Sequence, residues 1–353
     1  MSGEYFFEWV QIALIIAAFF LGSWLMKVER KQTKPVDNSG FYVPKLTALI
    51  AVLLMYLSIR SQLIAEVIIH LYAGDYASWA LGSAIDRYES NEDKGWAFKL
   101  GTILFLVYAF LLGAYGARRK AGYLYGALAL MIFVESSGLA RAGVLLAITA
   151  LLVELLIRKN KTLIDMRTVS YVKISLLVFL GLLAIFLFSA YFRVADKDDV
   201  LSILIDKAQS YTVAMYQALL IWMRDTDAYG SGLGYFTFTA IYKMMGVEVV
   251  QGFYAPVTTE YGVTNIYTSL RGFLSDFGMA LTVAVFFMFG AILAYYSYVR
   301  MRFSGYMSVR AILYILIFNL YSPFLFTTVF AAFVISGILI YLFKEKHALL
   351  HRG

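Results

Sequence analysis

Apolar runs long enough to cross a bilayer recur along this chain, and they fix its class before any motif is read. A window of about 19 residues finds them near 5–26, 43–60, 97–116, 122–136, 139–157, 171–192, 277–299, 308–322 and 324–343. Lipid offers no water to free N–H and C=O groups, so runs of this length must be helices whose backbone bonds close within the segment. The expectation is an all-α, polytopic integral membrane protein, one transmembrane domain over 1–353 with about 9–11 membrane helices. The spread comes from a stretch near 200–224 that Asp206, Lys207 and Gln209 interrupt. Charged residues make up 15% of the chain, against about 25% in soluble domains, which excludes the soluble alternative.

Charge then orients the chain. Lys27, Arg30, Lys31 and Lys34 follow the first run, Arg118, Arg119 and Lys120 the third, and Arg158, Lys159, Lys161 and Arg167 the fifth. Arg300, Arg302 and Arg310 follow the seventh, and Lys344, Lys346 and Arg352 the ninth. Every second connection is basic, so those connections are expected in the cytoplasm, with the N-terminus outside and the C-terminus inside. The alternate connections carry Asp75, Asp86, Glu89, Glu92, Asp93, Asp196, Asp198 and Asp199. The net charge of +7 therefore reports topology, and no nucleic-acid partner is expected. The first run lacks a basic flank before it and reads as a retained helix, not a cleaved signal.

Two outside segments are long, about 61–96 and 193–276, and the cytoplasmic connections are short, which places function outside. In the first, Leu63, Ile64, Val67, Ile68 and Leu71 share one helical face, while Gln62, Glu66 and His70 repeat on another. This pattern fits a helix lying in the interface or extending the second span. The second segment contains GSGLGYF, Gly230 to Phe236, whose glycines permit a tight turn or close backbone approach. No Gly-Lys-Ser/Thr follows, so it is not a P-loop. The chain has no Cys and 3 His, which leaves no thiol chemistry and no His-rich or Cys-based metal site; neither metal nor cofactor is expected.

Three arginines fall at outer helix ends: Arg141 at the start of the fifth run, Arg193 at the end of the sixth and Arg271 before the seventh. A guanidinium matches phosphate in a planar fork and stays charged where hydration is poor, which suits a lipid-linked pyrophosphate at headgroup depth. The alternative is snorkelling side chains, with Glu135 and Arg141 forming a salt bridge across a short turn.

The stretch TNIYTSLRGFLSDFG, Thr264 to Gly278, places an Asn, hydroxyls, an Arg and an Asp where an apolar helix begins. It resembles the Asn-Xaa-Tyr-Thr…Arg…Asp-Phe-Gly signature of bacterial oligosaccharide repeat-unit polymerases, the O-antigen polymerase type. GLARAG, around Arg141, is similar to that family's Gly/Ser-Arg element, and GLGYFTFTAIYKMMG to its Gly-Xaa-Tyr-Thr-Phe element. The resemblance implies a helical membrane glycosyltransferase of the GT-C type in the bacterial inner membrane. It implies transfer of a growing glycan from undecaprenyl pyrophosphate to a lipid-linked repeat unit on the periplasmic face, with a chain-length regulator as a candidate partner. By the same analogy Arg141, Arg193 and Arg271 would bind the leaving pyrophosphate, and Asn265, Tyr267, Thr268 and Tyr235 are further substrate-binding candidates. Asp276, Glu260 and Glu135 are the candidates for the base that takes the acceptor's proton; for Asp276 the competing reading is a carboxylate favoured at a helix N-terminus.

An O-antigen ligase, a lipid-linked oligosaccharide flippase or transporter, and a purely structural membrane subunit are the rival functions, the last disfavoured by the three arginines. The ligases resemble a pattern with an outside His and a Gly at fixed spacing, but the outside His70 has Ser78 at that place, and His347 and His351 fall on the cytoplasmic side. A transporter is expected to show internal repeats and charges deep in its spans. No repeat is visible, and the middles of the strongest spans carry almost no charge.

Overall fold

The computed structural model describes residues 5–29, 44–76, 78–80, 82, 96–116, 122–137, 141–159, 199, 201–202, 205–206, 209, 213–225, 232–247, 256–264, 268–299, 301–318 and 327–343. Its elements, in order, are α1 (Phe6–Glu29), α2 (Leu46–Ile59), α3 (Ser61–Ala73), α4 (Trp96–Tyr115), α5 (Gly122–Ser137) and α6 (Arg141–Lys159). They continue with α7 (Ala214–Asp225), α8 (Thr239–Met244), β1 (Val257–Thr259), β2 (Gly262–Thr264), α9 (Ser269–Tyr298), α10 (Phe303–Phe318) and α11 (Thr327–Leu342). The architecture is that of a helical membrane protein. Among the described residues, α1, α4 and α9 are long and apolar enough to span a bilayer, and α2 with α3 would make a fourth span bent by 68°. Four further apolar helices are shorter. The expected span at 171–192 lies outside the described residues.

The chain divides into two compact units. One comprises Met1–Asn38, Asn160–Val172 and Ile205–Phe330, the other Ser39–Lys159, Lys173–Leu204 and Ala331–Gly353.

In the first unit α1 and α9 pack side by side and run parallel. Ile12 and Ile15 of α1 share an apolar cluster with Leu274 of α9 and with Leu219, Leu220 and Met223 of α7. Further along, a Cβ added at Gly22 would strike the backbone of Phe287 and Ala291, and one at Gly290 the backbone of Phe19 and Ser23. Two glycines thus let the backbones touch, the small-residue packing that replaces hydrophobic drive between membrane helices. Parallel packing brings both helix N-termini to one end.

Helix α9 is broken near its start. Gly278 takes φ 66°, ψ −178°, a conformation closed to residues with a Cβ. Thr282, itself fully buried, donates its hydroxyl to the Phe273 carbonyl (3.1 Å), giving one carbonyl on the N-terminal side of the break a partner. Before α9 stands a departure from the all-α expectation among the described residues, an antiparallel hairpin pairing Val257 with Thr264, Thr258 with Val263 and Thr259 with Gly262. The Thr259 hydroxyl closes its turn by donating to the Gly262 carbonyl (2.7 Å) and accepting from the Tyr261 N–H (3.2 Å).

Arg310 requires a correction. The sequence placed it in a cytoplasmic basic cluster, but α10 begins at Phe303, so Arg310 lies two turns inside the helix and is fully buried. One of its guanidinium nitrogens lies 3.8 Å from Met307 Sδ.

In the second unit α4 is the most deeply buried helix: Phe105 through Leu112 are all without exposure. Gly113 lets α6 approach, since an added Cβ would come within 2.6 Å of the Leu151 carbonyl and of Glu154 Cβ. Phe333 of α11 meets Phe110 edge-on, with ring centroids 6.1 Å apart. The Lys45 N–H donates to the Phe343 carbonyl (2.8 Å), tying the start of α2 to the end of α11.

Candidate functional site

Polar side chains are buried in each unit, and each group is built around one arginine. In the first unit Arg271 occupies the first turn of α9 and is 8% exposed. Its guanidinium lies over the Trp222 ring of α7, 5.0 Å from the centroid. Planar stacking of this kind suits an arginine in a poorly hydrated place. Buried hydroxyl residues lie nearby in the chain: Thr259 and Thr264 on the hairpin, Thr268 just before α9, and Ser269 and Ser275 within it. The hairpin is pinned to α7, because the Glu260 N–H donates to Gln217 Oε1 (3.0 Å).

Asp276 is 1% exposed, and both of its oxygens are engaged. Oδ1 accepts from the Phe236 N–H (2.9 Å) and Oδ2 from the Thr237 N–H (2.6 Å). The loop that supplies these donors turns through Leu233 at φ 47° and Gly234 at φ 91°. Gly232 lies against the same carboxylate, and a Cβ there would collide with Asp276 Oδ1 and the Phe236 ring. Gly232 of the GSGLGYF stretch therefore does serve a close approach. The partner is an aspartate of this chain, held in a backbone anion nest.

In the second unit Glu135, near the end of α5, meets Arg60. Arg60 Nε donates to Oε1 (2.8 Å) and Nη2 to Oε2 (3.1 Å), a two-pronged pair with side chains 5% and 4% exposed. The Tyr56 hydroxyl donates to Glu135 Oε1 (3.1 Å), Arg60 Nη2 to Thr102 Oγ1 (3.2 Å), and the Phe98 ring lies 4.5 Å from Arg60 Cζ. Gly101 makes room, since a Cβ there would stand 2.7 Å from Arg60 Cζ. Arg60 is also the joint between α2 and α3. It takes φ −93°, ψ 7° while keeping helical bonds to Tyr56 and Ile64, and the chain bends 68° there. Glu135 was expected either to pair with Arg141 or to act as a base; its partner in this structure is Arg60.

The other expected residues fall as follows. Arg193, Asn265 and Tyr267 lie outside the described residues. Arg141 begins α6, but its side chain is outside them. Thr268 is 1% exposed at the N-cap position of α9, in extended conformation, without a side-chain cap. Tyr235 packs edge-on against Phe236 (5.1 Å) and Tyr242 (5.6 Å). Glu260 is exposed on the hairpin turn. Arg271 and Asp276 thus share one helix end, whereas Glu135 belongs to the other unit. His70 is engaged locally, 2.9 Å from Asp75 Oδ1 and stacked on Trp79. Among the described residues no group of His, Asp and Glu could hold a metal ion.

Sequence reasoning missed Arg60, Trp222 and Glu8. Arg60 had a visible signal, as the cation closing an apolar run on the side where cations are scarce. Its pairing with a residue 75 positions away had none.

Buried arginines at the ends of broken apolar helices define an all-α membrane protein that keeps charge inside its fold. Comparison with protein-family models, with curated proteins and with solved structures finds no match for this chain.

Proposed function

We propose that this protein is a membrane glycosyltransferase of the oligosaccharide repeat-unit polymerase type, using a polyprenyl-pyrophosphate-linked donor. The observation that carries the reading is Arg271, a guanidinium buried on Trp222 at the polar start of a broken membrane helix. A cation in that position is costly unless it serves an anion or a structural partner. A pyrophosphate leaving group supplies two charged phosphoryl groups at headgroup depth, and the arginine fork would stabilise them as negative charge develops in the transition state. Tyr235 and the neighbouring rings offer faces for sugars. The signature stretch contributes Arg271 and Asp276 to the same helix end, with Asp276 shaping the loop in front of it.

The test is genetic and chemical. Deleting the gene should reduce the cell's lipid-linked glycan from long chains to single repeat units, and the wild-type gene but not Arg271→Ala should restore length. Unchanged long chains in the deletion strain refute the reading.

A second reading has its own support. The helix breaks at Arg60 and Gly278, together with the fully buried Arg310, are features of proteins that move a substrate between helices. A transporter of lipid-linked oligosaccharide would leave repeat units trapped on the cytoplasmic leaflet when deleted, whereas loss of a polymerase leaves them delivered but single.

A further inference from the structure

We infer that Glu8, in the first turn of α1, is the base that takes the acceptor's proton; this rests on the polymerase reading above. Glu8 is 8% exposed, and its Oε2 is buried with no hydrogen-bond partner among the described residues. Such a carboxylate is expensive, because burial removes water and nothing on that oxygen replaces it. The coverage is protein, not lipid.

Register places it at the level of the arginine. Ile12 packs in one cluster with Leu274, and Tyr5, Trp222 and Leu270 border that cluster. Glu8 is one turn before Ile12 in α1, and Leu270 and Arg271 are one turn before Leu274 in α9. The helices run parallel, so these turns lie at the same level. Tyr5, immediately before α1 and three residues from Glu8, lies under the Arg224 guanidinium, 5.1 Å from Cζ to the ring centroid, so α7 closes this end from a third side.

Of the other carboxylates of this unit whose side chains are described, two are occupied and two are exposed. Asp276 spends both oxygens on backbone N–H groups, Asp225 pairs with Arg224 (3.0 Å), and Glu260 and Asp206 are exposed. Glu135 is engaged by Arg60 in the other unit. Glu8 is left with an oxygen uncommitted at the level of Arg271. In the step itself, the acceptor sugar's hydroxyl oxygen bonds to the donor's anomeric carbon. The bond from that carbon to the pyrophosphate oxygen breaks, the electron pair leaves with the pyrophosphate beside Arg271, and Glu8 Oε2 receives the hydroxyl proton.

The experiment uses full-length protein in lipid nanodiscs and lipid-linked repeat units extracted from cells lacking the gene. Polymer length and rate are read for wild type, Glu8→Gln and Glu8→Asp, with unfolding midpoints measured in parallel. Glu8→Gln should lower the rate at least about 100-fold while its midpoint stays level or rises, because a buried charge has been removed. Glu8→Asp should recover part of the rate. Polymer made equally well by wild type and Glu8→Gln removes the role of Glu8 and leaves the reaction standing. A rate loss accompanied by a falling midpoint, or Glu8→Asp no better than Gln, makes Glu8 structural and overturns the inference. No polymer from wild type removes the reaction itself, and the role of Glu8 with it.

Discussion

Replacing Glu135 by Gln should be among the most destabilising single changes in the second unit. The substitution keeps the volume but removes the charge that Arg60 meets through two hydrogen bonds, at a place where both side chains are about 5% exposed or less. Breaking a buried pair from one side costs about 3–5 kcal/mol, chiefly because a charge is left without its partner. Arg60→Met should cost a similar amount for the converse reason. If the two effects were independent, the double variant would lose about 6–10 kcal/mol. The geometry requires otherwise: Arg60→Met with Glu135→Met removes both charges and leaves chiefly the Tyr56 hydroxyl without its acceptor, a cost of about 1–3 kcal/mol. Adding Tyr56→Phe should recover most of that remainder. By contrast Thr102→Val removes one peripheral contact to Arg60 and should cost about 0.6 kcal/mol, the average for a hydrogen bond between membrane helices. The assay is unfolding in mixed micelles by titration with sodium dodecyl sulfate, followed by helical circular dichroism. Additive single and double variants, or a Glu135→Gln protein within about 0.5 kcal/mol of wild type, would refute the reasoning.

Four further outcomes are expected. Asp276→Asn keeps one acceptor for two backbone N–H groups, so the 232–238 loop should lose about 1–3 kcal/mol of local stability and become faster to cleave by added protease; unchanged cleavage would free Asp276 for another role. Gly22→Leu or Gly290→Leu should force α1 and α9 apart at a cost of about 1–3 kcal/mol, read as a lower unfolding midpoint, and a neutral result would contradict the close crossing. Because α1 and α9 run parallel, single cysteines at Phe6 and Leu233, both exposed, should react with an impermeant maleimide from the same side of the membrane, and the outside is the side expected from the charge pattern; labelling from opposite sides would break the topology. Polymerisation by purified protein should persist in EDTA, and a loss restored by a divalent ion would reveal metal ligands supplied by carboxylates that the sequence scatters.

Hydropathy located the described long helices to within a few residues, except where polar residues had been folded into a helix. The expected span from 277 begins at Ser269 in the structure, since Arg271, Ser275 and Asp276 lower the window average yet are buried against protein. The same error moved the start of α10 and placed Arg310 at the surface. A transfer scale assumes that a polar side chain faces water, and here rings, backbone donors and other helices take that place. The signature stretch drew attention to Arg271 and Asp276, which do lie at one helix end. It could not show that Asp276 reaches 40 residues back to the Phe236 N–H, nor that Glu135 would take Arg60 as a partner. Pairings of that range depend on how helices stack, and a linear pattern holds no record of it.

The parallel pairing of α1 with α9 also sets a timetable for biogenesis. α1 is synthesised well before its packing partners in α7 and α9, so at about 5–20 residues per second it waits on the order of 10–50 s for them. During that interval Glu8 and the Gly22 face have no partner from α9, and α1 must be sheltered by the insertion machinery or reside alone in lipid. A chain truncated after α6 should therefore leave α1 open to proteolysis. Supplying residues 205–330 as a separate fragment should protect it, which would make α7 and α9 a chaperone for α1.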